Sequence, residues 1–500
     1  MKTIRMVCVF GFLSLSLSLS AQTPHTLYVF DLTNGGSPYA KLVQATDGNL
    51  YGTTNQGGAN NGGTVFRVSP TGAVTTIYNF CALALCADGK APNAGLIQAT
   101  NGNLYGTTWL GGNYEGYCPN GCGTVFKISP AGGLTTLHSF GAINDGFNPF
   151  LAGLIQGTNG NFYGTTSASI TGFGTVFEIS SSGTLTTIHT FDDTDGSFPL
   201  GGLVQAADGY FYGTTEVGGA NTVGTVFKMT ATGGLVTIYT FCSQTGCSDG
   251  KSPLAGLVQA TDANLYGATY EGGTVDSGGT LFKITTGGAL TTLCRFCLQS
   301  SCPGGGNPRG GLLQATDGNF YGTTLDFGTG GYGTVFRLSE GLAPFVLLSP
   351  PSGKVGAVIK ILGQDFTGTT SVSFNGTAAT FTVRSGGYIS ATVPSGATTG
   401  YVSVVTPGGT LKSNQEFRVK PQITSFNVPD GPVGTQVVIT GVSLSQTTRV
   451  IFGGVGATVV AVNSDTQVTA TVPTGAVTGK IDIVTAGGTA VSAAIFTVTP

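Results

Sequence analysis

Short runs in which apolar and polar residues alternate follow one another along most of the chain, separated by glycine-rich turns. Residues 95–140 contain four such runs, GLIQAT, NLYGTT, GTVFKIS and LTTLHSF. Alternation with a period of two, rich in β-branched and aromatic residues and bounded by turn signals, is typical of β-strands. No run has the 3.6-residue period of an amphipathic helix, so the sequence predicts an all-β protein.

The phrase LYGTT or FYGTT, altered once to LYGAT, marks six copies of this four-strand unit. Its tyrosine recurs at intervals of 54, 58, 49, 54 and 55 residues, as Tyr51, Tyr105, Tyr163, Tyr212, Tyr266 and Tyr321. Such a period with four strands per unit is typical of a β-propeller blade. The sixth unit lacks the fourth strand, but residues 26–30, TLYVF, match its end. We therefore predict a six-bladed β-propeller over residues 25–340, with the last blade closed by the N-terminal strand.

The unit GLxQATDGNLYGTTxxGGxxxxGTVFKIS resembles the GloVer repeat of the choice-of-anchor tandem repeat GloVer-containing proteins, over about residues 30–338. The resemblance implies an exported bacterial protein and implies no activity. The family name reflects members that end in surface-anchoring signals. No sorting motif or hydrophobic tail is visible at this C-terminus, which argues against covalent anchoring.

Residues 343–419 and 421–500 are a second pair of repeats, in which ISATVPSGATTGYVSVVTPGG corresponds to VTATVPTGAVTGKIDIVTAGG. Strands alternate with turns in both, which predicts two β-sandwiches. Their common pattern resembles the IPT/TIG domain, which is immunoglobulin-like. This resemblance implies spacer or contact modules, with sugar binding as an alternative.

The N-terminus has the pattern of a secretory signal peptide. Lys2 and Arg5 precede an apolar run over residues 7–19, and a small-residue cleavage signal follows at residues 18–20. We assign residues 1–21 to this peptide and expect a secreted or cell-surface protein. No later stretch reaches 18 apolar residues, so no membrane span is expected in the mature chain.

Cysteines recur in pairs at equivalent places in the repeat. The predicted disulfide pairs are Cys81 with Cys86, Cys118 with Cys122, Cys242 with Cys247, and Cys297 with Cys302. Local bridges suit an exported chain, and no histidine lies near these pairs to favour zinc. Cys294 is left over.

Only 9% of residues are charged, the net charge is −3 and no basic stripe is visible, so nucleic acid is not an expected partner.

Most chemistry-bearing side chains occupy repeated positions, which favours a structural role. His138 and His189 stand where Tyr28, Tyr78 and Tyr239 stand in other units. Aspartates before the YGTT hairpin, replaced by Asn101 and Asn159 in two units, suit a turn. A glutamine occurs in the first strand of every unit, either facing a central channel or binding a neighbouring blade: Gln44, Gln98, Gln156, Gln205, Gln259 and Gln314.

The candidate ligand-binding residues lie in the variable loop after the second strand of the second unit. This loop contains the only tryptophan, and its candidates are Trp109, Tyr114, Glu115 and Tyr117. Aromatic rings beside a carboxylate suit sugar stacking or a protein contact, and equally a small loop core. A calcium ion near Asp192, Asp193 and Asp195 is a further possibility, although full loop-motif spacing is absent. No other cofactor and no catalytic residue is predicted.

Three functions remain open. The first is a secreted or cell-surface binding or adhesion protein, whose propeller face contacts a polysaccharide or an envelope protein while the Ig-like modules act as a stalk or second contact. The second is an extracellular glycan lyase or hydrolase, which needs two carboxylates to meet among Glu115, Glu216, Glu271 and Asp326. The third is a purely structural surface component.

Overall fold

The computed structural model describes residues 30–500 except 46, 48, 70–72, 100, 113–117, 143, 152, 274–277, 298–303, 329–332 and 458–459. The predicted signal peptide and residues 26–29 of the predicted closing strand lie outside this part. The described chain is almost entirely β-structure, which confirms the all-β prediction, and it contains two short 3₁₀ turns, Ala84–Cys86 and Thr245–Cys247. It divides into two compact units, residues 1–314 with 320–338, and residues 315–319 with 339–500.

The first unit is a series of antiparallel sheets whose strands pair in chain order. Sheet 1 contains β1 (Val43–Gln44), β2 (Leu50–Thr54), β3 (Thr64–Val68) and β4 (Val74–Asn79). Sheet 2 contains β5 (Ile97–Gln98), β6 (Leu104–Thr108), β7 (Thr124–Ile128) and β8 (Leu134–Ser139). Sheet 3 contains β9 (Ile155–Gln156), β10 (Phe162–Thr166), β11 (Thr175–Ile179) and β12 (Leu185–Thr190).

The next three sheets repeat this arrangement. Sheet 4 contains β13 (Val204–Gln205), β14 (Phe211–Thr215), β15 (Thr225–Met229) and β16 (Leu235–Thr240). Sheet 5 contains β17 (Val258–Gln259), β18 (Leu265–Thr269), β19 (Thr280–Ile284) and β20 (Leu290–Arg295). Sheet 6 has three strands in the described residues, β21 (Leu313–Gln314), β22 (Phe320–Thr323) and β23 (Val335–Leu338). The predicted repeat of strands is therefore present, one sheet per YGTT phrase.

In the first five repeats the tyrosine of the phrase is buried, and its hydroxyl is hydrogen-bonded to the preceding hairpin. Tyr51 Oη donates to Asp47 Oδ2 at 2.7 Å, and Asp47 Oδ1 accepts from the Asn49 backbone. Burial and the bond to Asp47 raise the pKa of Tyr51 to about 12, so the hydroxyl stays protonated. Equivalent bonds join Tyr212 to Asp208, Tyr266 to Asp262, Asn101 to Tyr105 and Asn159 to Tyr163. The predicted turn role of these Asp and Asn residues is confirmed.

We expect Asp262→Asn to lower stability at pH 7 and to leave it unchanged at strongly acid pH. Burial alone would raise the pKa of Asp262, but bonds from Asn264, Lys283 and Tyr266 outweigh burial and lower it. Lys283 Nζ lies 3.0 Å from Asp262 Oδ2. Because the pKa of Asp262 is lower in the folded chain, its ionised carboxylate stabilises the fold at pH values above the unfolded-state pKa of about 3.9. This stabilisation is lost as the pH falls through the folded-state pKa. Urea denaturation from pH 7 to pH 2.5 measures the difference.

The reciprocal substitution is Asn101→Asp, which places a carboxylate beside Tyr105. Tyr105 pairs with Lys127 across the strands, as Tyr266 pairs with Lys283. This variant should gain stability at pH 7 and lose the gain below about pH 4. If the wild type still has a larger free energy of unfolding than Asp262→Asn at pH 2.5, the effect of Asp262 on stability is not electrostatic.

Glycine in the phrase makes room for an aromatic ring from the third strand. A Cβ on Gly106 would lie 2.7 Å from both Phe126 Cζ and Leu96 Cδ2. The second threonine then bonds across to the third strand: Thr108 Oγ1 and Thr124 Oγ1 are 2.8 Å apart, and both residues are fully buried. The tyrosine, the glycine and the second threonine of the phrase thus each have a packing or hydrogen-bonding reason for their identity.

Each sheet packs on the next one with the same contacts. A phenylalanine at the end of one sheet's fourth strand meets a third-strand phenylalanine of the next sheet edge to face. The pairs are Phe80 with Phe126, Phe140 with Phe177, Phe191 with Phe227, Phe241 with Phe282 and Phe296 with Phe336, with centroids 5.2 to 5.5 Å apart. First-strand glutamines bind the preceding hairpin, because Gln205 Oε1 accepts from Thr158 N at 2.9 Å and Gln259 Oε1 from Ala207 N at 2.8 Å. For these glutamines the interpretation as links between neighbouring units is confirmed.

In the part of the chain that the structure describes, apolar side chains are exposed at both ends of the series. Val335 in sheet 6 is 79% exposed, whereas its equivalents Val65, Val125, Val176, Val226 and Leu281 are at most 2% exposed. Leu42, before sheet 1, is 46% exposed, whereas its equivalents Leu96, Leu154, Leu203, Leu257 and Leu312 are at most 9% exposed. Phe30 meets Phe66 edge to face at 5.1 Å, the contact that every later sheet receives from the sheet before it.

Three of the predicted disulfides are formed, between Cys81 and Cys86, Cys118 and Cys122, and Cys242 and Cys247. Cys297 is disulfide-bonded, and its predicted partner Cys302 lies outside the described residues. Cys294 is buried in sheet 5, opposite Leu281.

The second compact unit, which includes residues 339–500, contains two β-sandwiches. The strands of the first are β24 (Leu347–Ser349), β25 (Ser352–Gly353), β26 (Val358–Leu362), β27 (Ser371–Phe374), β28 (Thr377–Ala378), β29 (Phe381–Ser385), β30 (Tyr388–Thr392), β31 (Val402–Thr406), β32 (Gly409–Lys412) and β33 (Arg418–Val419). Sheets β24-β26-β30-β29 and β28-β27-β31-β32 enclose a core that includes Ile361, Phe374 and Phe417.

The second sandwich repeats this plan. Its strands are β34 (Gln422–Phe426), β35 (Asp430–Gly431), β36 (Gln436–Val442), β37 (Thr447–Phe452), β38 (Val455–Gly456), β39 (Val460–Ser464), β40 (Gln467–Thr471), β41 (Gly479–Thr485) and β42 (Gly488–Val498). Sheets β34-β36-β40-β39 and β35-β42-β41-β37-β38 enclose a core around Ile439, Phe452 and Phe496. Gln446 joins the two sandwiches, because its amide accepts from Thr399 N at 2.7 Å and donates to Thr399 O at 3.2 Å.

Candidate functional site

The chain makes the same backbone contact at one end of every sheet in the first unit. The residue that follows the second strand donates its N–H to the carbonyl of the residue before a proline. In the second unit of the repeat, Trp109 N donates to Ala91 O at 3.0 Å. The residue before the proline has a positive φ in all six copies, at Ser37, Ala91, Asn148, Phe198, Ser252 and Asn307. A repeated, strained backbone therefore fixes the position of two side chains per unit.

These two positions vary although the framework around them repeats. The position after the second strand holds Asn55, Trp109, Ser167, Glu216, Tyr270 and Leu325. The position after the proline holds Tyr39, Asn93, Phe150, Leu200, Leu254 and Arg309. We call these twelve residues the variable ring. Loops positioned by a rigid scaffold are where binding residues concentrate, so variation confined to these places indicates a binding site.

Side chains from successive units meet within the variable ring. Asn55 Nδ2 donates to Asn93 Oδ1 at 2.5 Å, and the rings of Trp109 and Phe150 meet edge to face with centroids 5.1 Å apart. Asn148 Nδ2 holds the backbone of Trp109 by donating to its carbonyl at 3.1 Å. Trp109 is half-buried, so one part of the indole packs on Phe150 and the rest remains accessible.

Charged residues of several repeats lie at this end of the sheets. Burial raises the pKa of Glu216; the charge of Arg309 opposes this rise and that of Glu271 adds to it. Glu216 follows β14, the second strand of sheet 4, and Arg309 precedes sheet 6. Glu271 is in turn bound to Lys251, with Nζ and Oε2 2.9 Å apart.

Of the four residues predicted from the sequence, Trp109 lies in the variable ring. Tyr114, Glu115 and Tyr117 lie outside the described residues. Glu216 and Glu271, two of the acids considered for catalysis, interact with each other. Sequence reasoning missed Phe150, Asn93 and Arg309. The signal was present, since aligning the six units with one another shows that these positions differ while their neighbours repeat.

The two repeated histidines have the structural contacts expected of their tyrosine equivalents. His138 Nε2 lies 2.8 Å from Asp145 Oδ2, and Tyr78 Oη donates to Asp88 Oδ2 at the same distance. His189 contacts Asp195 in the same way at 2.7 Å. The interpretation of these histidines as aromatic replacements is confirmed.

The carboxylates proposed for calcium have local partners. Asp192 Oδ1 accepts from Thr194 Oγ1 at 2.6 Å and from two backbone N–H groups, and Asp195 is bound to His189. No group of three or more His, Cys, Asp or Glu side chains that could hold a metal is found among the described residues. A calcium ion at Asp192, Asp193 and Asp195 stays a prediction. In the same part of the chain, no helix has the length and apolar character of a membrane span.

Comparison with known families matches two models to this chain. The Gloeobacter/Verrucomicrobia repeat matches residues 14–169, 86–248 and 244–357, and the IPT/TIG domain matches residues 346–419 and 421–498. Both resemblances predicted from the sequence are therefore confirmed. None of the curated proteins matches.

Similar solved structures include SGBP-B from a xyloglucan utilization locus of Bacteroides uniformis, 22% identical over 30% of this chain and 48% of its own, with a TM-score of 0.16. A surface glycan-binding protein of Prevotella bryantii is 15% identical over 32% of this chain and 40% of its own, with a TM-score of 0.24. This chain thus spans less than half the length of these two proteins. A gluconolactonase of Xanthomonas campestris is 14% identical over 61% of this chain and 87% of its own, with a TM-score of 0.36. Likeness at this level transfers no function.

Proposed function

The chain belongs to the Gloeobacter/Verrucomicrobia repeat family, and we propose that it is an exported, cell-surface glycan-binding protein built on a six-bladed β-propeller. Local disulfides support an oxidising compartment outside the cytoplasm. The predicted signal peptide at residues 1–21 supplies the route of export.

Closure of the six sheets into a propeller is supported by the two uncovered faces. Every sheet presents the same apolar residues to the next, so the face of sheet 6 at Val335 complements the face of sheet 1 at Leu42. Phe30 already holds the position of a fourth-strand phenylalanine against Phe66. Residues 26–30 then supply the missing strand of sheet 6, and closure removes both exposed edges.

Glycan binding rests chiefly on one observation, the half-buried Trp109 ring braced by Phe150 at variable positions of a repeated framework. A rigid aromatic face binds the apolar side of a sugar ring at little entropic cost, and the Asn55–Asn93 pair next to it offers amide groups to hydroxyls. Tyr114, Glu115 and Tyr117, which follow Trp109 in the sequence, stay candidates predicted from the sequence. The two IPT/TIG modules, joined by Gln446, act as a stalk or second contact.

We expect Trp109→Ala to weaken glycan binding by about 10-fold or more, because truncating a central aromatic anchor typically costs 2 kcal/mol or more. The measurement is affinity electrophoresis of the full chain, without its predicted signal peptide, in gels that contain single polysaccharides. Trp109→Phe should retain most of the affinity.

The matched control is Tyr210→Ala, since Tyr210 is 38% exposed at the opposite end of sheet 4 from Glu216. Equal loss in both alanine variants would point to nonspecific adsorption and overturn the Trp109 site. No binding by the wild type to any polysaccharide would reject the proposal and leave an envelope protein as the partner.

A second candidate function is glycan cleavage by a lyase or hydrolase. The observation in its favour is the interaction of Glu216 with Glu271, since burial and a neighbouring acid raise the pKa of a carboxyl toward that of a general acid. Release of reducing sugar by the wild type, abolished in Glu216→Gln, would establish it. Binding without turnover would favour the first function.

A further inference from the structure

We infer that the ligand of the variable ring is an uncharged glycan, held between the Trp109–Phe150 side and a charge-balanced side formed by Glu216, Arg309 and the Glu271–Lys251 ion pair. This inference rests on the proposed function and adds the chemical class of its ligand. The residues come from the second to the sixth repeats, and the fold brings them to the same end of their sheets.

The charges at this end cancel. The variable ring contains one acid and one base, Glu216 and Arg309, and Glu271 beside it is neutralised by Lys251 at 2.9 Å. The residues directly next to the variable ring add one charge of each sign, Asp326 and Lys90. A polyuronate would meet Glu216 and a polycation would meet Arg309, so both would lose as much electrostatic energy as they gain.

A carboxylate and a guanidinium together match the hydroxyl groups of a neutral sugar. A hydroxyl both donates and accepts, whereas Glu216 accepts only and Arg309 donates only. No hydrogen-bond partner of the Glu216 carboxylate is found among the described residues, although the side chain is half-buried, and Arg309 is exposed. Hydroxyls of a bound glycan would satisfy both groups, and hydrogen bonds to charged groups are the stronger ones.

The aromatic side and the charged side are held by the same scaffold. Tyr270 precedes Glu271, and its carbonyl accepts from Asn307 Nδ2 at 2.9 Å, as the Trp109 carbonyl accepts from Asn148. The residues that position the site therefore come from strand ends and strained turns that repeat in every unit. Such a site is preorganised, so selectivity depends on its side chains rather than on loop closure.

The test compares three soluble glycan classes with the full chain: neutral glucans and mannans, polygalacturonate, and chitosan. The wild type should bind a neutral glycan, with an affinity that changes less than about 2-fold between 50 and 500 mM NaCl, because no net charge is neutralised. Glu216→Gln and Arg309→Gln should each weaken this binding by about 10-fold or more. Unchanged thermal unfolding shows that the variants are folded.

The control for charge removal is Lys127→Gln, on β7 toward the opposite end of sheet 2 from Trp109. Salt-sensitive binding of polygalacturonate or chitosan alone would overturn the neutral class while leaving glycan binding intact. A loss on Trp109→Ala with none on Glu216→Gln or Arg309→Gln would remove the charged side from the site. Failure of the wild type to bind any glycan would reject the proposed function itself.

Discussion

The Val335→Asp variant should be destabilised by about 3 to 5 kcal/mol, the cost of an uncompensated charge in an apolar interface. This is expected because the proposed closure covers Val335, which is 79% exposed in the described residues, with sheet 1 and with residues 26–30. Leu42→Asp on the opposing face should have an effect of the same order. Urea denaturation followed by tryptophan and tyrosine fluorescence measures both.

Two variants calibrate this result. Val226→Asp, at the equivalent and fully buried position of sheet 4, sets the value for a covered face, and Val236→Asp, 62% exposed on β16, sets the value for an open one. If Val335→Asp behaves as Val236→Asp does, within about 0.5 kcal/mol of the wild type, the sheets do not close and the series is an open array. Deletion of residues 22–29 should cost as much as Val335→Asp if those residues form the closing strand.

The Gly106→Ala variant should lose about 1 to 3 kcal/mol, and Gly106→Val more, because the added methyl group meets Phe126 and Leu96 at 2.7 Å in a closely packed interior. Gly106 has extended backbone, so the loss comes from overpacking and not from a forbidden φ. Equilibrium denaturation gives the difference.

Gly287→Ala is the matched control, since its added Cβ has its nearest neighbour at 3.8 Å and its φ lies outside the left-handed region. It should be neutral or slightly stabilising. Combining Gly106→Ala with Phe126→Leu removes the opposing ring, so the two losses should be less than additive by about 1 kcal/mol. Strict additivity would show that Phe126 is not what excludes a side chain at position 106.

The phrase LYGTT shows how far local chemistry can be predicted from a repeat. Four strands in each of the first five repeats, the turn role of the preceding Asp or Asn and the interchange of His with Tyr all depend on neighbours within one repeat. Those predictions are confirmed. The reason that glycine stands between tyrosine and threonine was not predicted, because Phe126 approaches Gly106 across a strand pair.

The candidate site was located only in part. The loop after the second strand drew attention because of Trp109, and that residue does belong to the variable ring. Its partner Phe150 is 41 positions away along the chain, at the start of the next repeat. Phe150 directly follows a proline, and no motif in the sequence marks it as a binding residue. Glu216 and Arg309 are 93 positions apart, so no local pattern could pair them.

Strand alternation, turn residues and cysteine spacing act over a few residues. The all-β class, the repeat, the two C-terminal modules and three local disulfides were therefore predictable without the fold. The folded arrangement was needed to show which variable side chains of different repeats meet, such as Trp109 and Phe150. It also showed which apolar residues are exposed in the described part of the chain, such as Val335 and Leu42. The physical reason is that identical sheets fix equivalent backbone positions, but contacts between side chains of different units depend on the packing of whole sheets.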